Sequence, residues 1–185
     1  MDDSHAIKRL KRGDIGGLAA LVERYQMQAV QTAYLITGDR AMAEDVVQSA
    51  FLHAYKAIQG FDDRRPFAPW FLRSIVNASI QAARRGQRET SLDASPGFGV
   101  ESFAELLPDP APLPDDAAEQ AELRREVWEA LQALSPEQRA AVVLRYFLGL
   151  SESEMSAQLD CPPGTVKWRL HAAKKRLRGL LGVEG

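Results

Sequence analysis

The chain has 185 residues, 45% of them hydrophobic and 26% charged, which suits one ordinary domain or two small ones and excludes wholesale disorder. No apolar run nears the roughly 18 residues of a membrane span, and the charged N-terminus lacks a signal peptide's apolar stretch, so a cytoplasmic protein without membrane insertion is expected. Cys161 is the sole cysteine and the three histidines are scattered, which excludes an internal disulfide and leaves no metal-ligand spacing; neither metal nor cofactor is expected.

β-branched residues never alternate over a long run and no hairpin signal occurs, so the chain is predicted to be all-α. From about residue 14, Leu18, Leu21, Val22, Tyr25 and Ala29 recur at helical spacing, with Asp14 as N-cap and Gly38 as the stop. Gly16 and Gly17 weaken the first turn of that helix. Over 40–58, Ala43, Val46, Val47, Ala50, Phe51, Ala54, Tyr55 and Ile58 keep a three-four spacing that Gly60 ends. A third face, Phe71, Leu72, Ile75, Val76, Ser79, Ala82 and Ala83, is entered through Pro66 and Pro69, and the three helices can share a core. Between 87 and 120 the periodicity is lost, Pro96, Pro108, Pro110, Pro112 and Pro114 accumulate and acids outnumber bases, which predicts a flexible linker. Helices resume near residue 121, with Leu123, Val127, Ala130, Leu131 and Leu134 on one face, followed by a capping box at Ser135 and Gln138 with Pro136 between them. A second box, Ser151 with Glu154, opens a short helix; residues 160–164 turn, and Val166, Leu170, Ala173 and Leu177 define the last helix. The predicted architecture is two small helical domains, 1–86 and 121–185, joined by the flexible linker 87–120.

The last two helices and their turn have the layout of a helix-turn-helix, whose second helix enters the major groove. The net charge of −2 hides a stripe between positions 165 and 178 that holds six basic residues and no acid, a local field suited to phosphate. With Val166, Leu170, Ala173 and Leu177 on the core, Thr165, Lys167, Trp168, His171, Ala172 and Lys175 lie on or near the outward side, and the helix N-terminus adds anion affinity. For Trp168 two readings stay open, contact with DNA or a partner, and packing against the preceding helix. Within 40–58, Glu44, Asp45, Gln48, Ser49, Leu52 and Lys56 lie opposite the apolar stripe. An outward leucine among acids and an amide suits a protein partner, although by itself a solvated face with one stray leucine is the commoner explanation. In the next helix Trp70, Arg73, Asn77, Gln81 and Arg84 fall along one side, a mixture that suits unstacked bases, with a buried Trp and a capping Asn as the equal alternative. No Ser/His/Asp constellation or phosphate-cradling glycine motif is visible, so no catalytic residue is assigned and an enzyme ranks last.

Four ordered blocks carry a resemblance: Asp-Arg-Ala-Met-Ala-Glu-Asp-Val-Val-Gln-Ser-Ala-Phe at 39–51, Pro-Trp-Phe-Leu-Arg-Ser-Ile-Val-Asn at 69–77, Leu-Ser-Pro-Glu-Gln-Arg at 134–139 and Gly-Thr-Val-Lys-Trp-Arg-Leu at 164–170. In this order and spacing the chain resembles the extracytoplasmic-function (ECF) sigma factors, the small class of sigma-70 promoter-specificity subunits of bacterial RNA polymerase. The resemblance covers 14–86 (region 2) and about 121–182 (region 4). It implies that Asp45, Gln48 and Leu52 dock on the clamp helices of the beta-prime subunit, within a partnership with core RNA polymerase that includes the beta subunit. It implies that the loop 60–66 with Asn77 captures a flipped base of the minus-10 element, supported by Phe61, Arg64, Arg65, Trp70, Arg73 and Arg84. It further implies that the last helix reads the minus-35 duplex through Thr165, Lys167, Trp168, Arg169, His171 and Lys175, and that the linker passes near the polymerase active site. Promoter DNA is the implied nucleic-acid partner, and an anti-sigma factor, which holds many relatives, is a further candidate partner. Position 168 is often small and polar in the family and 172 often basic, whereas here they are Trp168 and Ala172, pointing to a different minus-35 sequence. The alternative reading is a stand-alone helix-turn-helix regulator, which predicts tight duplex binding without polymerase.

Overall fold

Eight α-helices account for the described part of the chain, residues 2–90 and 117–182, in this computed structural model, and no strand occurs among the described residues. In chain order they are α1 (Asp3–Lys11), α2 (Gly16–Thr37), α3 (Arg40–Ala57), α4 (Phe67–Thr90), α5 (Ala117–Gln132), α6 (Pro136–Val142), α7 (Glu152–Leu159) and α8 (Pro163–Leu181). The linker expected over 87–120 is shortened at both ends by helix, since α4 runs to Thr90 and α5 begins at Ala117; its residues 91–116 lie outside the described residues. The last turn of α4 has no apolar residue to announce it, but adding a turn to a formed helix costs far less than nucleating one.

α1 is an element that periodicity did not announce. Asp2 caps it by accepting from the His5 amide at 2.7 Å, and Ala6, Ile7 and Leu10 are buried. Gly17 makes the crossing of α1 and α2 possible, because a Cβ there would collide with the α1 backbone at Ala6 and Leu10. The glycine that weakens the start of α2 in isolation thus lets two backbones meet. Asp3 pairs with Arg24 at 2.6 Å and accepts from the Tyr25 hydroxyl; burial and this carboxylate push the phenol up to about 12, so it stays a donor. The expected N-cap, Asp14, is displaced by one residue. Ile15 occupies the cap position with helical angles, while Asp14 accepts from the Gly16 amide at 2.9 Å. Gly38, at φ 77°, stops α2 as its lack of a Cβ allows, and Asp39 caps α3 through the Met42 amide at 2.7 Å.

α2, α3 and α4 close the first core around Tyr25, Phe51, Phe61, Phe67 and Phe71, whose neighbouring ring centroids lie 4.5 to 6.2 Å apart. Each such ring contributes roughly 1.5 to 3 kcal/mol on burial. Tyr55, expected on the inward face, is exposed, because Ala54 and Ile58 fill the inward positions of that turn.

The second domain forms both predicted capping boxes, Ser135 with Gln138 and Ser151 with Glu154. α6 passes straight into a π-helical turn, Val143–Phe147. α5 is turned relative to expectation: Leu123 and Val127 are exposed and Trp128 is buried. The Trp128 ring stacks on Tyr34 of α2 with centroids 4.7 Å apart, so the helix buries its largest apolar surface against the first domain.

Arg139 of α6 locks this contact. It is 3% exposed and donates to the carbonyls of Ile36 at 2.8 Å, Gln132 at 2.9 Å and Leu134 at 3.1 Å. The Ile36 and Gln132 carbonyls belong to helix C-termini, where no intrahelical donor is available and a cation is favoured. Burial lowers the guanidinium to about 10, so it keeps its charge at neutral pH.

Candidate nucleic-acid interface

The side chains singled out from the sequence fall on three surfaces. On α3, Asp45, Gln48 and Leu52 are spaced three and four apart along one exposed face, with Leu52 54% exposed. Together with Leu18, Val22 and Val30 of α2 they line an open groove with an apolar floor and a rim of acid and amide. Leu52 is therefore continuous with other apolar surface rather than a stray residue, and the groove has the form that receives an amphipathic helix.

The second surface combines the loop after a 3₁₀ turn, Ile58–Gly60, with the outward face of α4. Phe61 is only 6% exposed and its ring meets those of Phe67 and Trp70 at 5.9 and 5.0 Å, so it supports the loop from below and offers no surface ring for stacking. Trp70 is half-buried in the first turn of α4. Arg64 and Arg65 are exposed, and both face Asp62, at 2.9 and 3.9 Å. The Arg64 hydrogen bonds hold the Asp62 carboxyl below its ordinary range. Trp70, Arg73, Asn77 and Arg84 share one side of α4, as their spacing required, with Asn77 half-buried.

That side also faces the second domain. Arg73 pairs with Asp160 at 3.3 Å, Arg84 donates to Glu137 at 2.5 Å, and the Gln158 amide donates to the Pro69 carbonyl at 3.0 Å. Burial opposes ionisation of Glu137, but its backbone hydrogen bond and Arg84 outweigh that and hold its carboxyl low. Two of the basic groups on α4 are thus engaged by α6 and by the turn that follows α7.

The third surface is α8. Val166, Leu170 and Ala173 are buried beneath it, while Lys167, Trp168, His171 and Lys175 are exposed and Thr165 is half-buried. Trp168 is 65% exposed, so its ring is not buried against the preceding helix. Arg169 lies against the turn, its guanidinium 3.7 Å from Cys161 Sγ. Lys167 faces Glu152 at 3.6 Å, an exposed pair that phosphate can replace at little cost.

Trp128, Arg139 and Gln158 escaped the sequence reading. Arg139 carried a signal, since it occupies the same helical register as Pro136 and buried Val143; Trp128 likewise precedes Leu131 by three positions.

Residues 21–89 match the family model described as Sigma-70 region 2, and residues 124–177 that described as Sigma-70, region 4. The chain is 33% identical to the ECF RNA polymerase sigma factor SigW of Bacillus subtilis over 93% of its own length and 92% of that protein. It is 31% identical to the ECF RNA polymerase sigma-E factor of Escherichia coli K12 over 96% and 93% of the two chains. Two solved structures are similar in fold: CnrH in complex with the cytosolic domain of CnrY, with TM-score 0.66, 24% identity and 99% of both chains covered, and the sigma factor RpoE in complex with the anti-sigma factor NepR from Bartonella quintana, with TM-score 0.64, 23% identity and 90% and 99% covered.

Proposed function

This chain belongs to the extracytoplasmic-function sigma factors of the sigma-70 family, and from that premise we propose how its two helical domains divide the work. As a member it binds core RNA polymerase and directs promoter recognition and transcription initiation. The groove of Asp45, Gln48 and Leu52 receives the polymerase clamp helices. The loop with Arg64 and Arg65, and the α4 face of Trp70, Arg73, Asn77 and Arg84, takes the unstacked minus-10 strand, with Phe61 supporting the loop. α8 reads the minus-35 duplex through Lys167, Trp168, His171 and Lys175, with Thr165 at its N-terminus and Arg169 bracing the turn. The observation that carries this reading is that three chemically distinct surfaces lie on α3, α4 and α8 of one helical body: apolar with an acid rim, aromatic with amide and guanidinium, and basic with an exposed indole.

No step of bond chemistry is assigned to the chain. Captured bases offset their unstacking cost of roughly a few kcal/mol each, and binding free energy drives strand opening. For α4 to take DNA, the Arg73 and Arg84 pairs must exchange for phosphate and the two domains must part. The exposed Arg73–Asp160 pair is worth about 0 to 1 kcal/mol, whereas Arg84–Glu137 is more sheltered, with Glu137 21% exposed. The buried Arg139 contact with Ile36 must also be given up, a cost that binding to polymerase and DNA has to offset. The chain acts in the cell interior, where polymerase and promoter meet, and none of the described helices is long and apolar enough to cross a membrane. Its similarity in fold to the sigma factor RpoE, solved in complex with the anti-sigma factor NepR, supports an anti-sigma protein as a partner of this chain as well.

Two substitutions test the division of labour. Asn77→Ala lowers affinity for a single-stranded minus-10 oligonucleotide in the holoenzyme by about tenfold, the effect of one or two lost hydrogen bonds, and leaves minus-35 duplex binding unchanged. Equal losses in the two assays contradict separate surfaces. Lys167→Ala weakens duplex binding and reduces the slope of log affinity against log salt by about one unit; an unaltered slope removes Lys167 from the phosphate interface.

A further inference from the structure

The structure assigns a role to Lys11, at the C-terminal end of α1: we propose that it is the positioning residue of the minus-10 capture loop, and that base selectivity at the captured position depends on it. The proposal rests on the reading of the loop and Asn77 as the capture site, and goes beyond it by bringing in a helix that precedes the matched region 2 segment.

Three hydrogen bonds tie this helix end to the loop and to the 3₁₀ turn before it. The Lys11 ammonium donates to the Phe61 carbonyl at 2.6 Å and to Asp63 Oδ1 at 2.5 Å, and Gln59 Nε2 donates back to the Lys11 carbonyl at 2.9 Å. The Lys11–Asp63 pair is only partly solvated, at 24% and 35% side-chain exposure. Of the loop's own backbone, the Phe61 amide donates to the Ile58 carbonyl at 3.1 Å and the Arg65 amide to the Asp62 carbonyl at 2.9 Å. Phe61 is anchored by its buried ring, but the following four residues are partly or fully exposed. Within them Asp62 clasps Arg64 through the backbone amide at 3.1 Å and Nε at 2.9 Å, which joins loop residues to one another and not to the body of the protein. Lys11 adds to the anchor at Phe61 and ties Asp63 to the body of the protein, so that the loop is held on either side of Asp62. The direction in which the Asp62–Arg64 pair and Arg65 face the extruded base is thereby fixed from α1. α1 is in turn held down by Ala6, Ile7 and Leu10 and by the close crossing at Gly17. Recognition groups discriminate only when held to within about 0.5 Å of their working geometry, so loosening this anchor costs selectivity before it costs binding.

The test is run-off transcription by core polymerase reconstituted with the full chain, on four promoters that differ only at the captured base. Lys11→Met compresses the ratio between the preferred base and the other three by about three- to fivefold, the range of a partly exposed ion pair, while polymerase affinity and minus-35 duplex binding stay at wild-type levels. Lys11→Arg restores most of the ratio. Asp63→Asn, which alters the partner and leaves α1 untouched, reproduces the compression. An unchanged ratio in both Lys11→Met and Asp63→Asn overturns the proposal, as does Lys11→Arg behaving like Lys11→Met. Asn77→Ala in the same assay separates the two levels: if Asn77→Ala impairs capture while Lys11→Met leaves the ratio intact, the positioning role alone falls. If Asn77→Ala leaves capture intact, the capture site itself is misplaced and the proposal falls with it.

Discussion

Replacing Asp45 and Gln48 together by alanine is expected to reduce affinity for core RNA polymerase by at least about a hundredfold, the scale of losing two central contacts of a protein interface, with no change in helix content. Both side chains are exposed on α3, and alanine is a better helix former than either, so the fold has no reason to suffer. The loss follows from their position on the rim of a groove whose floor is Leu18, Val22, Val30 and Leu52. The apolar floor supplies most of the area removed from water, and the acid and amide fix the register of the helix that lies in it. Co-purification with core polymerase, with circular dichroism on the same samples, checks both halves. Retention of polymerase binding by a folded double variant would place the docking surface elsewhere.

Arg139→Met is expected to destabilise the chain by about 3 kcal/mol, since carbonyls of Ile36, Gln132 and Leu134 lose a buried donor at roughly 1 to 3 kcal/mol each, partly offset by relaxation and water. At this chain length that corresponds to a fall in Tm of about 6 to 12 °C. The same change loosens the contact between the domains, because the guanidinium spans the ends of α2 and α5. Urea denaturation followed by tryptophan emission, where Trp128 reports the contact with Tyr34, measures the first effect. Small-angle scattering measures the second as an increase in radius of gyration. Arg139→Lys keeps the charge but loses the planar fork that reaches both helix ends, so it falls between wild type and Arg139→Met. A Tm within 2 °C of wild type for Arg139→Met, with an unchanged radius, would show that the interface rests on Trp128 and not on the arginine.

The two results bear on one question, because the domain contact and the proposed capture face share α4. Arg73 and Arg84 are engaged by Asp160 and Glu137, and a chain closed in this way presents less of that face to a melted strand. The docking groove proposed on α3 lies on a surface the closed contact leaves open.

What the sequence alone determined is local. α3, α6, α7 and the helix-turn-helix were legible because their signals, three-four spacing and Ser-x-x-Gln or Ser-x-x-Glu boxes, act within four residues and are written in the stretch of chain they shape. The outward placement of Lys167, His171 and Lys175 followed from the same periodicity once Val166, Leu170 and Ala173 were taken as core. Only the tertiary structure decided the rest. α1 is too short to be stable alone and exists because Gly17 admits it. The inward turn of Trp128 in place of Leu123 and Val127 depends on Tyr34 in another domain. Phe61 looks like a surface aromatic until Phe67 and Trp70 close around it. Arg139 finds its acceptor 103 positions away, and Lys11 its loop 50 positions away. Such pairings are set by which helix ends and loops the packing brings together, and no pattern confined to one stretch of chain can specify a partner whose proximity depends on every core between them.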